Sequence, residues 1–276
     1  MSNCLDCNIS LLHYNMDGYY CPKCFSVYAK ETPSDAILQN YYSKFNQHYH
    51  GGGRRKGASK RQQLYAMKYL KIVSQYLERG TLLDIGSSTN PFPNIALEKG
   101  FNVSIADYSK PSNLDPEVEY IESPVEKIID IGKTFDIVTA FAILEHTRDP
   151  LLAIKNIVNL TNQEGYIVIY IPEIGRFPDK YSLGLSNWFC PPEHLNLLSK
   201  DALVNIFNKH NCKLIKYSRF EISLFRYIVR YGIGFIEGTI GYFIKKTFSK
   251  FWLKIRTKRK SKYQGMSMFI FKKENA

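Results

Sequence analysis

Four cysteines near the amino terminus form the most chemically specific pattern in this sequence. They occur as two C-x2-C pairs separated by thirteen residues: Cys4, Cys7, Cys21 and Cys24. In a reducing compartment this spacing favours a metal over disulfides, because two tight turns can present four thiolates as a tetrahedron. A bound ion would substitute for a core that is too small to fold alone. We therefore predict a zinc-ribbon-like module with a structural Zn2+ over residues 1–31, the alternative being a loose tail of reduced cysteines.

The stretch LLDIGSSTNPF, residues 82–92, has the outline of a ligand-binding loop between a strand and a helix. It lacks the Lys-Ser/Thr pair of a P-loop, and Gly86 alone does not make the G-x-G-x-x-G of a dinucleotide site. An acid at the strand end followed by G-x-G-x-G is the pattern of S-adenosylmethionine sites, and Asp84 and Gly86 match it. Ser88 and Asn90 replace the other two glycines. Serine is small and asparagine tolerates unusual dihedral angles, so the loop still predicts this cofactor.

The next predicted strand supports the same cofactor. It ends at Asp107, 21 residues after Gly86. A carboxylate at this strand end can accept hydrogen bonds from both hydroxyls of an adenosine ribose. An acid at a strand end is a weak signal alone, but together with Asp84 and Gly86 it indicates a S-adenosylmethionine site.

Two histidines could act on the acceptor of a methyl group. Methyl transfer from a sulfonium is an in-line displacement, so the protein aligns the acceptor, excludes water and can remove a proton. Imidazole suits proton removal near neutral pH. His146 follows Glu145 after the fourth predicted strand, and His194 lies in WFCPPEHLNL beside aromatic residues that could shape a pocket. We predict catalytic roles for His194, His146 and Glu145, the alternative being structural hydrogen bonds that hold the loops.

Alternating strands and helices must position these residues. Strands are predicted at 81–86, 102–107, 118–122, 135–141, 165–171, 213–220 and 266–272. Helices are predicted at 59–78, 92–99, 150–162 and 200–211. This alternation is typical of a doubly wound α/β fold with a parallel sheet. Apolar residues of the first helix, among them Leu64, Met67 and Leu70, predict the face that it buries.

The chain resembles the class I S-adenosylmethionine-dependent methyltransferases, most closely their type 11 and type 23 groups, over residues 81–220. Three segments carry the resemblance: LLDIGSSTNPFPNIALEKGFNVSIADYS, TFDIVTAFAILEHTRDPLLAIKNIVNLTNQEGYIVIYIPE and EHLNLLSKDALVNIFNKHNCKL. It implies a Rossmann-like seven-stranded methyltransferase sheet with a helical insertion before the last strand. It also implies cofactor contacts from Asp84, Gly86, Ser87, Ser88, Asp107, Tyr108, Ala140 and Phe141, with Tyr108 flanking the adenine. Pro124 stands where the family often has an acid for the adenine, so Glu122 or backbone groups would replace it.

The domain organisation follows from these assignments. We predict the zinc-binding module at 1–31, a linker with amino-terminal helices at 32–79, and the methyltransferase domain at 80–276. Residues 223–262 form its predicted helical cap. This segment holds eleven Lys and Arg against one acid, so it carries +10 of the net charge of +12. Such a helix could cover a phosphate-bearing substrate, lie on an anionic membrane surface, or pack with a solvated basic face.

The leading hypothesis is O-methylation of a sugar, a glycan precursor or another small anionic acceptor. By resemblance, cysteine modules accompany such domains in sugar and polysaccharide modification enzymes. A zinc-ribbon RNA methyltransferase is less favoured, because the module has no basic excess for nucleic acid. A methyltransferase-like scaffold without cofactor is the third hypothesis. The sequence shows no signal peptide or membrane span. We expect a cytoplasmic location, with peripheral contact at the inner membrane surface if 223–262 binds lipid.

Overall fold

The structure is a computed structural model that describes residues 3–15, 17–34, 36–38, 40–41, 60–128, 131–174, 189–219 and 266–275. In chain order its elements are β1 (Leu12–Asn15), β2 (Gly18–Tyr20), β3 (Val27–Ala29), α1 (Lys60–Val73), β4 (Thr81–Ile85), α2 (Phe92–Glu98), β5 (Asn102–Asp107), β6 (Glu119–Glu122), β7 (Phe135–Phe141), a 3-10 turn (Leu144–His146), α3 (Pro150–Asn159), β8 (Thr161–Pro172), β9 (Asn196–Leu197), α4 (Lys200–Asn208), β10 (Cys212–Arg219) and β11 (Met266–Lys273). The strands and helices predicted from residue 81 onward are therefore present, with ends shifted by a few residues.

A seven-stranded sheet forms the centre of the fold. Its strand order is β10-β11-β8-β7-β4-β5-β6. β4 pairs in parallel with β5 on one side and with β7 on the other. The chain therefore winds outward in one direction from β4 to β6 and in the other from β7 to β8. Ligands of such sheets bind at the carboxyl edge where the order reverses, which is between β4 and β7. The predicted doubly wound α/β fold with seven strands is confirmed, but the sheet is mixed and not wholly parallel.

Local sequence signals explain the elements that carry the site. β4 is buried on both faces by Leu82, Leu83 and Ile85, as a central parallel strand requires. The Asp149 carboxylate caps α3 by accepting a hydrogen bond from Leu152 N at 3.0 Å, and proline occupies the first helical position. α4 begins in the same way, with Ser199 Oγ accepting from Ala202 N.

Helix α1 is present as predicted, but the predicted buried face is partly wrong. Leu64 and Met67 are 61% and 58% exposed. The residues that the helix buries are Ala66, Tyr69, Leu70 and Val73. Tyr69 faces the sheet because its ring stacks there on an aromatic side chain. The spacing of apolar residues along the helix does not predict this contact.

The amino-terminal segment forms a second sheet together with a strand from the other end of the fold. The order of this sheet is β1-β2-β3-β9, and β9 lies 167 residues or more after β3 in the sequence. Residues 1–217 and 268–276 form one compact unit, and residues 218–267 form another. The predicted helical cap at 223–262 lies outside the described residues. Within the described part of the chain, no helix is long and apolar enough to cross a membrane.

Candidate active site

The turn after β4 has the backbone geometry that a close-fitting ligand loop needs. Gly86 has φ +70°, and a Cβ there would lie 1.9 Å from Ile143 Cδ1. Ser88 adopts φ +46°, so it takes the left-handed conformation of the glycine that it replaces. Asn90 acts differently, because its side-chain Oδ1 accepts a hydrogen bond from Phe92 N at the start of α2. The loop thus turns tightly on one glycine and one strained serine.

Asp84 holds this loop from below. Its side chain is 1% exposed, and its two oxygens accept hydrogen bonds from Ser87 Oγ at 2.6 Å and Thr139 Oγ1 at 2.5 Å. Burial raises the pKa of Asp84 to about 7, and the two hydroxyl donors oppose that rise. Thr139 was not singled out in the sequence, because a threonine inside a strand carries no signal of such a role. The carboxylate therefore fixes the loop through Ser87 and joins it to β7.

Asp107 ties the first loop to the end of β5. Its Oδ2 accepts a hydrogen bond from Ser88 N at 2.8 Å, and burial raises its pKa. Tyr108 follows and is 38% exposed, which leaves its ring at the surface of this edge. The structure thus brings the predicted Gly86, Ser88, Asp107 and Tyr108 together at the carboxyl edge of adjacent strands.

An aromatic group lies at the end of β7. Phe141 stacks on Tyr69 of α1 with ring centroids 4.3 Å apart, and it meets Phe92 edge-on at 5.1 Å. Ala140 beside it is fully buried. Tyr69 was not among the site residues predicted from the sequence, because it lies on a helix before the segment that carries the resemblance. These rings form an apolar wall next to the loop of Gly86.

The residues at this edge fit S-adenosylmethionine. Gly86 has no Cβ where the Ile143 side chain packs, which lets the loop turn tightly at positive φ, and Asp107 supplies a carboxylate for the ribose hydroxyls. Two further polar atoms near the loop, Thr89 Oγ1 and Asn113 Oδ1, are buried without a hydrogen-bond partner among the described residues. A cofactor with an amino-acid part and two hydroxyls offers partners for such groups.

Three side chains predicted to be catalytic lie together next to this edge. We call Glu145, His146 and His194 the acid–histidine cluster. One ligand atom from each lies within 4.8 Å of the others, and the two imidazole rings meet edge-on with centroids 4.7 Å apart. Ile143, which contacts Gly86, precedes Glu145 by two residues. The 3-10 turn that carries Glu145 and His146 therefore begins directly after a residue that packs on the cofactor loop, which places the cluster beside this loop.

Burial holds the Glu145 carboxyl and the His146 imidazole of the acid–histidine cluster in their uncharged forms, as the direction of each pKa shift indicates. His146 Nδ1 lies 2.7 Å from the carbonyl oxygen of Glu193, and a carbonyl only accepts, so Nδ1 is the donor. Burial lowers the pKa of His146 to about 3, with His194 adding to this effect. Burial raises the pKa of Glu145 to about 8. Glu145 is 3% exposed, and its Oε2 has no hydrogen-bond partner in the described part of the chain.

The cysteine module packs against the segment that carries His194. Leu195 N donates to the carbonyl of Glu145, and Ala29 N donates to the carbonyl of Leu195, both at 2.7 Å. Phe189 is buried with Val27 and Ala29 of β3. This corrects the expectation that Phe189 shapes an acceptor pocket, because its ring fills the space between the module and this segment. Trp188 lies outside the described residues.

The four predicted metal-binding cysteines converge on one point. Their sulfur atoms lie within 4.8 Å of one another, and Sγ of Cys4 lies 3.6 Å from Sγ of Cys24. Backbone N–H groups of Cys7 and Cys24 donate to the sulfurs of Cys4 and Cys21, at 3.4 Å each. The residue after each pair, Asn8 or Phe25, has positive φ. The cysteine cluster can therefore hold one metal ion.

The cysteine cluster is electrostatically unfavourable without a cation. The hydrogen bond with Cys24 lowers the pKa of Cys4 to about 4, whereas burial raises that of Cys7 to about 12. Four thiols so close together cannot all ionise unless a positive charge compensates them. Zn–S bonds of about 2.3 Å place tetrahedral sulfurs about 3.8 Å apart, close to the separation of Cys4 and Cys24.

Comparison with known families agrees with this geometry. Residues 58–217, more than half of the chain, match the family model described as a methyltransferase domain. The chain belongs to this family and is a S-adenosylmethionine-dependent methyltransferase. A search of curated proteins gave no match.

Solved structures show the same fold. The 1,6-didemethyltoxoflavin-N1-methyltransferase of Burkholderia thailandensis is 10% identical, with a TM-score of 0.55 over 97% of this chain and 100% of that chain. The N-methyltransferase NodS of Bradyrhizobium japonicum is 9% identical, with a TM-score of 0.54 over 86% and 100%. The [4+2]-cyclase SpnF is 14% identical, with a TM-score of 0.58 over 89% and 98%. At these identities the likeness shows the fold alone, and these neighbours have different activities.

Proposed function

We propose that this methyltransferase transfers a methyl group to an oxygen of a small anionic acceptor, such as a sugar or a glycan precursor. The observation that carries the proposal is the acid–histidine cluster, which lies beside the cofactor loop. A hydroxyl is a poor nucleophile near neutral pH unless its proton is removed or its oxygen is polarised. Two imidazoles and a carboxylate next to the cofactor are suited to that task.

The chain's own residues would divide the work. S-adenosylmethionine supplies an electrophilic methyl group on a sulfonium when it is bound. Asp107 would orient the ribose while it holds Ser88 N. The rings of Phe141 and Tyr69 would keep water from one side of the methionine part. His194, which is 8% exposed, would meet the acceptor oxygen, whereas His146 is held by the carbonyl of Glu193.

The anionic character of the acceptor is inferred from the charge distribution. Residues 223–262 carry +10 of the net +12 and stand in the sequence directly before the last strand of the sheet, β11. Each lysine near a phosphate is worth roughly 1 kcal/mol and is screened by salt. A nucleotide-linked or lipid-linked sugar would supply such a phosphate. We expect its Michaelis constant to rise with ionic strength, and a panel of sugar nucleotides with isotopically labelled cofactor would identify the acceptor.

His194→Gln is expected to lower turnover by about a hundredfold or more, while the affinity for S-adenosylmethionine stays close to that of the wild type. Glutamine keeps the polarity and approximate size but cannot take up a proton near neutral pH, and such groups contribute about a hundredfold or more. Steady-state rates with the identified acceptor between pH 6 and pH 8 measure this effect, and calorimetry measures the cofactor affinity.

His210→Gln is the matched control, since His210 lies at the end of α4 and outside the cluster. It should keep wild-type turnover. If His194→Gln keeps full turnover across the pH range, His194 only holds its loop and the proposed role is wrong.

A further inference from the structure

We propose that the acid–histidine cluster is a binding site for a divalent transition-metal cation, separate from the cysteine cluster. The inference rests on the proposed function, which it deepens, because the cation would bind the acceptor oxygen. Glu145, His146 and His194 offer one carboxylate and two imidazole ligands within 4.8 Å of one another. This mixed set of one carboxylate and two imidazoles suits divalent first-row cations such as Mn2+, Fe2+, Co2+ and Zn2+.

The buried carboxylate is the first reason for a cation. Glu145 is 3% exposed, and its Oε2 has no hydrogen-bond partner among the described residues. Buried carboxylate oxygens are normally satisfied by a donor, a cation or a metal. One carboxylate oxygen of Glu145 lies within 4.8 Å of a ring nitrogen of each histidine, so a cation placed among the three would give the buried carboxylate a partner and use the two rings as ligands.

The orientation of His146 is the second reason. Its Nδ1 donates to the carbonyl of Glu193 at 2.7 Å, so the lone pair lies on Nε2. A backbone carbonyl that receives one ring N–H while the other nitrogen points to the ion is the usual support of a metal-binding histidine. Leu195 N donates to the carbonyl of Glu145, which fixes the segment after His194 to the turn that carries the other two ligands.

The dimensions allow such a site with a small contraction. Bonds from a divalent cation to imidazole nitrogen or carboxylate oxygen are about 2.0–2.2 Å, so ligands around one ion lie about 3–4 Å apart. The observed 4.8 Å limit therefore requires side-chain movements of about 1 Å. Three protein ligands leave open positions for oxygens of the acceptor.

The cation would change how the acceptor loses its proton. A hydroxyl bound to a cation ionises at lower pH, so its proton can pass to solvent without an imidazole base. The oxygen then attacks the methyl carbon, the carbon–sulfur bond breaks, and its electron pair stays on sulfur as the thioether of S-adenosylhomocysteine. In this scheme His146 and His194 act as ligands, and Glu145 supplies negative charge.

The test is Mn2+ titration of the full chain without acceptor. The protein is first freed of loosely bound cations by desalting without a chelator, so that the cysteine cluster keeps its ion, and free Mn2+ is then counted by its electron paramagnetic resonance signal. Thiolates prefer zinc, so the cysteine cluster is not expected to compete for Mn2+. We expect one Mn2+ per chain, with Glu145→Gln and His194→Gln each weakening binding by tenfold or more. His210→Gln should bind as the wild type does.

Two results would overturn the site. One is absence of stoichiometric Mn2+ binding by the wild-type protein, which needs no variant to fold. The other is wild-type Mn2+ affinity in Glu145→Gln whose thermal unfolding and cofactor affinity are unchanged. Either leaves the proposed O-methylation intact, with His194 as the base. Conversely, Mn2+ binding by a protein that methylates no oxygen acceptor would support the site and reject the proposed function.

Discussion

Replacing Asp107 with alanine is expected to weaken S-adenosylmethionine binding by at least tenfold. The carboxylate accepts a hydrogen bond from Ser88 N at 2.8 Å and stands at the strand end where the ribose hydroxyls would lie. A hydrogen bond to a charged group is worth about 1.5–3 kcal/mol, and about 1.4 kcal/mol is a tenfold change in affinity. The loss of one such hydrogen bond to the cofactor is therefore sufficient to weaken its binding tenfold. Titration calorimetry with the cofactor measures the change.

Two further variants separate binding from folding in this experiment. Asp107→Asn keeps an oxygen that can accept from Ser88 N but removes the charge, so its affinity should fall between those of the wild type and Asp107→Ala. Asp201→Ala removes an exposed acid from the first turn of α4 and should bind normally. Unchanged affinity in Asp107→Ala with unchanged thermal unfolding would remove the assignment of the ribose to this carboxylate.

Replacing both Cys21 and Cys24 with serine is expected to release one zinc ion per chain and to lower turnover by tenfold or more. We infer Zn2+ for the cysteine cluster from its four thiolates and their spacing. The module has strands of only three or four residues, so we expect its order to depend on the ion, whose binding is worth about 10–16 kcal/mol in comparable small domains. Elemental analysis and limited proteolysis of residues 1–31 measure the loss.

The reason for the effect on turnover is the contact between the module and the acid–histidine cluster. β3 pairs with β9 at Val27 and Leu197, and Leu195 connects Ala29 to Glu145 through two backbone hydrogen bonds. A displacement of about 1 Å at reacting groups can cost a hundredfold in rate. The cofactor loop is held by Asp84 and Asp107 instead, so S-adenosylmethionine affinity should change by less than about threefold on this account.

Cys190→Ser is the control for the metal count, because it removes an exposed thiol outside the cysteine cluster. It should retain one zinc ion per chain. A double cysteine variant that loses zinc but keeps an intact, protease-resistant amino terminus and full turnover would show that the ion has no structural role.

Local features of the sequence are sufficient to predict the sheet and the cofactor loop. Buried runs such as Leu82 and Leu83, the Asp149 cap and the Pro150 start are local features, and each acts through neighbours a few residues away. The roles of Asp84, Gly86 and Asp107 at the cofactor loop could also be predicted, because parallel strands bring their carboxyl ends to one edge of the sheet. Ser88 adopts the left-handed backbone conformation, so the loop makes its turn although the second glycine of the G-x-G-x-G pattern is absent.

The contact between the cysteine module and the candidate active site depends on packing between segments that are far apart in the sequence. Ser26 and Ser199 are joined by hydrogen bonds across 173 residues of sequence. Strand β9 is only two residues long. Hydrophobic periodicity in the sequence therefore predicts neither the hydrogen bonds nor the strand. The stacking of Tyr69 on Phe141 also has no local sequence signal, because Phe141 lies on a distant strand. Burial of Phe189 against β3 and the unsatisfied oxygen of Glu145 depend on which segments pack together. Such contacts form because apolar and polar groups far apart in the chain are satisfied only in the folded state, and a local pattern does not record them.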